Sequence, residues 1–377
     1  MTSQNFLAYC DKLFTPSESF IVRGYRAFDA LQPVYIGHDL KGPAPAAAEA
    51  MTLGAWHGIG GERGFKQLGL VSAKLEAELR SRAPVLVHAS FGKSGAYALP
   101  LARKLGLPLV VTYYGGDATK HSNTRNSLLR VYNRRRAALW REAALILPCS
   151  DFLRRELEAK GCPPEKMVVH HNTADADQFQ PGEKQKILLF AGRWTEKKGI
   201  DTLITALARL GPALKDWRVR LLGDGHLKAG LVAQLEAAGV TAELPGWIPA
   251  DEMPRHFAEA MIVCVPSKRA PSGDAEGLPL VCIEAMLSGC ALAATRHAGI
   301  PECVRDGETG YLVDEDDAEA LADRIGRMIG DVEATREMGR KGRAFALSDF
   351  NLAVQSGRLQ DHLLRVAREA GTLPKAP

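Results

Sequence analysis

The sequence predicts an α/β protein built from two doubly wound domains, each with a parallel sheet. Three observations predict it. Short apolar, β-rich runs alternate with helical stretches along the chain. The alternation restarts after a polar connection, Asp175 to Lys186, that contains Pro181 and Gly182. The length of 377 residues also exceeds what one ordinary core organises.

In chain order, Asn5 to Cys10 reads as the first strand, and Phe14 to Phe20 as a turn and helix start with Thr15 or Ser17 as its cap. A loop directly after the first strand of such a domain lies at the carboxyl edge of the sheet, where ligands bind. Val34–Gly37 and Val85–His88 are further strands; His88-Ala-Ser-Phe-Gly-Lys-Ser-Gly95 leads into a helix ending near Gly106. Pro108 to Asp117 is a strand running into a tight turn, and Ala143 to Ser150 is one more. The second half restarts at Lys186–Gly192 and continues through Arg218–Gly225, Thr241–Gly246, Met261–Val265 and Cys290–Ala294. A last helix runs from about Leu352 to Ala370. The expected domains are 1–178 and 179–351, with 352–377 packing back on the first. No short-period repeat is present, which excludes a solenoid.

Composition narrows the class. Hydrophobic content of 46% and charged content of 24% are those of a soluble globular protein. A net charge of +4 is too mild to imply nucleic acid. The first residues lack a basic region followed by an apolar one, and no apolar run is long enough to span a bilayer. The expected location is therefore the cytoplasm. Seven scattered cysteines read as reduced, buried thiols and neither a disulfide frame nor a zinc site.

Chemistry concentrates in Pro266 to Gly289. The strand Met261–Val265 gives way to a loop, and then to a helix opened by Gly277-Leu-Pro279 and closed at Gly289. Strand, loop and helix make a phosphate site, because a helix start presents unpaired N–H groups and the positive end of a dipole. Glu276 stands just before the helix and Glu284 a little over two turns on, and ionised carboxylates accept from sugar hydroxyls. The bland reading is a surface helix whose acids favour its N-terminal end. Gly192-Arg-Trp-Thr-Glu-Lys-Lys-Gly199 adds Arg193, a planar fork, and Lys198, a point charge, either side of a βα turn.

The succession of that basic turn, Gly223-Asp-Gly225, Gly246-Trp-Ile-Pro249 and the Glu276/Glu284 pair resembles the retaining glycosyltransferases of family 4. The resemblance implies a GT-B fold: two Rossmann-like domains facing across a cleft, the second holding a nucleotide-diphosphate sugar and the first the acceptor. It implies catalytic roles for Glu276, Tyr114, Arg193 and Lys198. The implied donor site comprises Gly192, Arg193, Lys198, Gly223, Trp247, Ile248, Glu276, Gly277, Leu278, Pro279, Leu280 and Glu284. A UDP- or GDP-sugar is implied as donor substrate, with no cofactor and no metal. Asp175-Ala-Asp177 resembles a cation-holding Asp pair, but solvated acids in a connection are commoner. His170-His171 lacks a third ligand at metal spacing.

The first half resembles the exopolysaccharide, colanic-acid-type branch of that family. His88-Ala-Ser-Phe-Gly is similar to that branch's His-Ala-His-Phe-Gly, and Pro16-Ser-Glu-Ser-Phe-Ile21 matches its opening loop. Ser17, Glu18, His88 and Asp117 are the implied acceptor-binding residues. Where relatives carry Thr-Phe-His-Gly-x-Asp, this chain has Thr112-Tyr-Tyr-Gly-Gly-Asp117, so Tyr114 replaces the expected histidine. In the family that histidine's imidazole meets the donor's outer hydroxyl. The replacement suggests a donor that differs at its sixth carbon.

Between Arg125 and Arg141 six arginines occur without one acidic residue, interleaved with Leu128, Leu129, Val131, Tyr132, Leu139 and Trp140. Contact with an anionic membrane surface, peripheral on the inner face, and a packed helix with solvated arginines both fit. A lipid-linked or glycan acceptor suits the first. Two other functions share the architecture: a nucleotide-sugar epimerase, and a catalytically silent nucleotide-sugar binder. The glutamate pair favours transfer.

Overall fold

The computed structural model describes residues 3–15, 18–45, 48–56, 61–119 and 127–373. It divides into two compact units, one of residues 1–171 with 352–377, the other of 172–351. Fourteen strands occur among the described residues. The first unit has β1 (Gln4–Tyr9), β2 (Lys12–Leu13), β3 (Leu31–Gly37), β4 (Asp39–Leu40), β5 (Glu49–Thr52), β6 (Val87–Ser90), β7 (Leu109–Tyr113) and β8 (Leu145–Pro148). The second has β9 (Gln185–Ala191), β10 (Arg218–Leu222), β11 (Glu243–Gly246), β12 (Ala260–Val265), β13 (Ala291–Thr295) and β14 (Gly310–Val313).

Each unit contains one six-stranded sheet, ordered β5-β3-β1-β6-β7-β8 in the first and β11-β10-β9-β12-β13-β14 in the second. Every pairing is parallel; Leu7 of β1, for example, faces Val34 of β3 and Val87 of β6. Parallel strands buried on both faces read as continuous apolar runs, and β12 and β13 are buried at every position. The order reverses between β1 and β6 and between β9 and β12, so the loops after those strands flank a topological switch point, where open α/β sheets take ligands. The two halves are thus Rossmann-like domains.

The domain boundary falls at His171/Asn172, earlier than the 178/179 expected from the sequence. The physical reason is that the connection is tied into the second unit. The Asn172 amide donates to the Leu278 carbonyl at 2.8 Å, and the buried Phe179 packs edge-on against Phe257 with centroids 5.9 Å apart. The helix Leu352–Glu369 joins the first unit, where Leu359, Leu363, Val366 and Ala367 share a core with Phe6, Leu31 and Leu145. Its Gln360 side chain accepts from the backbone N–H groups of Asp29, Ala30 and Leu31.

Three local expectations change. The edge strands β5 and β14 lay outside the sequence reading, being short segments without a long apolar run. The first helix, Ser19–Arg23, has Glu18 at its N-cap with no side-chain cap bond, so Thr15 does not serve there, and Ser17 lies outside the described residues. In the helix Ser127–Glu142, Val131, Tyr132, Leu139 and Trp140 are all buried, so its apolar face is packed inward. Arg125 lies outside the described residues. Tyr132 and Trp140 also hydrogen-bond the Tyr113 hydroxyl, at 3.2 and 3.0 Å.

Candidate active site

In the second unit the chain leaves β9 at Gly192 and makes a 3-10 turn over Glu196–Lys198 before the helix Ile200–Leu210. Glycine is required where this turn meets its neighbours. Gly199, at φ 62°, has the Pro266 carbonyl 1.8 Å from where a Cβ would stand, and Gly223, at φ 119°, has the Gly192 carbonyl at the same distance. Backbone is thereby pressed on backbone, bringing the loop after β9 against those after β10 and β12. Trp194, fully buried, anchors the turn, its N–H donating to the Asp224 carbonyl at 2.9 Å. Gly223 N–H donates to the Gly246 carbonyl at 2.7 Å, which places exposed Trp247 beside the same edge.

The loop after β12 is held from several sides. Lys268 Nζ lies 2.6 Å from carboxylate oxygens of both Asp201 and Asp316, and its N–H donates to the Lys197 carbonyl. Ala275, Glu276, Gly277, Leu278 and Pro279 are buried. The helix Leu280–Leu287 then begins with Pro279 at its N-cap and no side-chain cap. The Cys282 N–H bonds the Pro279 carbonyl at 3.1 Å, while the N–H groups of Leu280 and Val281 ahead of it have no partner one turn back within the helix. Gly289, at φ 75°, follows its end.

Glu276 stands at this helix entrance. Its Oε1 is 3.0 Å from Lys198 Nζ and 3.7 Å from Lys197 Nζ, and Lys197 is also 3.6 Å from Asp274. Burial alone raises a carboxylate's pKa, but the Coulombic pull of Lys198 and Lys197 outweighs it and takes Glu276 down to about 2. The group is a fixed anion. Its N–H donates to His297 Nε2 at 3.2 Å, and His297 Nδ1 pairs with Glu315 at 2.7 Å, which sets the Nδ1–H tautomer of a ring only 1% exposed. Thr195 Oγ1 and Ser267 Oγ, on the two loops that meet here, are buried without a hydrogen-bond partner among the described residues. Arg193 is exposed, and no carboxylate lies within 4 Å of it among the described residues.

The carboxyl edge of the first unit carries the other implied residues. His88 is 1% exposed, with Nδ1 2.9 Å from the Tyr25 hydroxyl and Nε2 2.8 Å from Thr112 Oγ1; burial pushes its pKa down to about 3. Asp117 is also buried. One oxygen accepts from Gly92 N–H at 3.0 Å, the other from Tyr114 and Gly115 N–H at 3.1 and 2.9 Å. The Tyr114 ring lies 5.0 Å from both Phe20 and Phe91, and burial raises its pKa, keeping it neutral. Beside them Asp11, next to β1, meets Lys66 at 2.6 Å, His38 at 3.4 Å and Lys93 at 3.5 Å.

Residues 172–345 match the family model described as glycosyl transferases group 1, and residues 22–173 the glycosyl transferase 4-like domain. The chain is 30% identical over 291 residues to the amylovoran biosynthesis glycosyltransferase AmsK of Erwinia amylovora, covering 75% of this chain and 70% of that protein. It belongs to the family 4 glycosyltransferases. It is also 32% identical over 275 residues to the WcaL glycosyltransferase of Salmonella typhimurium, named for colanic acid biosynthesis, which covers 70% of this chain and 66% of that one. Both relatives stand in the exopolysaccharide branch. Among solved structures, Anabaena HepE in complex with UDP superposes with a TM-score of 0.73 over 97% of this chain and all of that one, at 20% identity.

Within this glycosyltransferase, Gly192, Lys198, Gly223, Glu276, Gly277, Leu278, Pro279 and Leu280 meet around one switch-point edge. Glu284 is half-buried on the second turn of the helix, and Trp247 and Ile248 follow β11 at the sheet's margin. His88 and Asp117 both spend their polar atoms on their own unit and shape the loops around Tyr114. Glu18 is half-buried, and burial raises its pKa. Sequence reasoning missed Lys197, the His297–Glu315 pair and the Asp11 cluster. Lys197 stood in the quoted motif; the others come together only when separate strands align.

Proposed function

We propose that the protein is a retaining, metal-independent glycosyltransferase that moves a sugar from a UDP- or GDP-sugar to a glycan or lipid-linked acceptor. The observation that carries the reading is the Lys198–Glu276 ion pair set at the uncapped start of the helix Leu280–Leu287. Backbone N–H groups, Lys198 and Arg193 form a cationic seat for a diphosphate, while Glu276 and Glu284 accept from sugar and ribose hydroxyls. The bond from the sugar's first carbon to the diphosphate breaks, and its electrons stay on the leaving oxygen. Fixed positive groups stabilise that charge more in the transition state than before it. The acceptor oxygen attacks on the same face and its proton passes to the departing phosphate oxygen, so no further base or metal is required.

Tyr114 bears on the choice of sugar. Its ring sits among Phe20 and Phe91 in place of a hydroxyl-binding imidazole, which favours a donor without the usual outer hydroxyl. A glycan carried on a lipid would place the reaction at a membrane surface. The test is incubation with a panel of UDP- and GDP-sugars, following nucleotide release, the anomeric configuration of the product and the effect of a chelator. Retained configuration and chelator-insensitive turnover are expected. An altered donor without a new glycoside would indicate epimerisation instead. Equal turnover of matched pentose and hexose donors by wild type and Tyr114→His would overturn the role given to Tyr114.

A further inference from the structure

Two leucines stand out of the first unit's surface. Leu68 is 72% exposed and Leu70 57% exposed, one on each side of Gly69, whose φ of 77° turns the chain after the π-helical segment Gly64–Leu68. The turn is rigidly seated. A Cβ on Gly69 would stand 2.8 Å from the Pro100 ring and 3.3 Å from Arg135 Nη2. Arg135 spreads its guanidinium over the carbonyls of Lys66 and Gln67, both at 3.1 Å, and of Ala96 at 3.0 Å. The leucines are held outward by this framework.

Exposed arginines surround them, and the exposed acid on the same segment, Glu62, is paired with Lys66. Arg134 reaches the Gln67 carbonyl at 3.4 Å and is exposed, as is Arg63 on the segment leading into the turn. Among the described residues neither has a carboxylate within 4 Å. Arg135 feels the crowding: burial first, then the charges of Arg134 and Arg103, lower its pKa. Two exposed leucines are far too small a patch for a stable protein interface, which needs about 800 Å² per partner. Apolar tips rimmed by arginine fit a bilayer's interfacial zone, where leucine enters the acyl boundary and guanidinium pairs with phosphate.

We propose that Leu68 and Leu70 insert into the surface of an anionic lipid bilayer while Arg63 and Arg134 pair with its headgroups. The arginine-rich helix Ser127–Glu142 supplies charge and support; its apolar side is already in the core. The proposal does not depend on which sugar is transferred.

Flotation of the full chain with phosphatidylcholine vesicles, with and without phosphatidylglycerol, tests it. Wild type is expected to float only with the anionic vesicles, and added salt is expected to release it. Leu68→Ser combined with Leu70→Ser should lower the bound fraction about tenfold or more, with melting temperature and turnover of a soluble acceptor unchanged. Arg134→Gln should weaken binding several-fold. Leu68→Trp reads insertion directly, through quenching by brominated anionic lipid. No flotation with anionic vesicles, equal flotation with both, or a double-serine variant that floats like wild type would each overturn the proposal. The nucleotide-sugar reading would stand in every one of those cases.

Discussion

At the scale of the residue, two buried titratable groups respond to pH in different windows. Glu276 has its folded pKa depressed from the ordinary 4.5 to about 2, so the stability it gives is complete above about pH 4.5 and is lost as pH falls towards 2. The full shift corresponds to about 3 kcal/mol. Glu276→Gln should therefore melt below wild type at pH 7, by a margin that shrinks steadily between pH 4.5 and 2 in denaturant titrations. A constant margin would mean that Coulombic attraction to Lys198 and Lys197 is not what holds the carboxylate. His88 is also depressed, from 6.5 to about 3, but its stable form is neutral. Its contribution is present above pH 6.5 and is lost from there towards 3, at about 1.4 kcal/mol per pH unit. His88→Asn should flatten the pH dependence of stability between 6.5 and 4 while leaving nucleotide affinity unchanged. The contrast explains how far the site was legible. Lys198 and Glu276 each stand in a local motif and the fold pairs them, whereas the burial of His88 was not legible, because its partners Tyr25 and Thr112 lie on other segments.

At the scale of the element, the helix Gly92–Leu105 shows why a legible helix still hides its supports. Pro100 sits inside it and has no N–H to give the Ala96 carbonyl one turn earlier. Arg135 supplies the missing donor at 3.0 Å and binds two more carbonyls with the same group. Lysine cannot reproduce that planar fork. Arg135→Lys should cost about 1–3 kcal/mol of stability, from carbonyls left unsatisfied, and Arg135→Ala at least as much. If both variants unfold at the wild-type denaturant midpoint, the guanidinium is solvated and its place in the fold is incidental. Strands whose apolar runs stand alone, such as β9 and β12, were evident in the sequence. β5 and β14 were not, because an edge strand of four residues is specified by the neighbour it pairs with: Val34 to Glu49 in one case, Leu292 to Gly310 in the other.

At the scale of the whole molecule, the chain is not two consecutive halves, since its last helix belongs to the unit formed by its first residues. Deleting 352–377 removes Leu359, Leu363 and Val366 from a core they share with Phe6 and Leu31. Truncating one buried leucine costs about 2–5 kcal/mol, and domains are stable by only about 5–15 kcal/mol. Loss of the helix should therefore unfold the first unit outright. The second unit closes on itself: Thr173 Oγ1 donates to the Phe350 carbonyl at 2.7 Å, joining its first and last segments. A fragment of residues 172–351 should fold cooperatively alone, whereas residues 1–171 without the terminal helix should not. If the donor seat lies where we place it, that fragment should also bind a nucleoside diphosphate with an affinity near that of the full chain, measured by calorimetry. Lys198→Ala in the fragment should weaken binding about tenfold, consistent with loss of one charge-assisted contact of roughly 1.5 kcal/mol. A folded fragment that leaves nucleoside diphosphate unbound would move the donor seat away from Lys198 and the helix entrance. A fragment that fails to fold would instead show that the second unit borrows stability from the first.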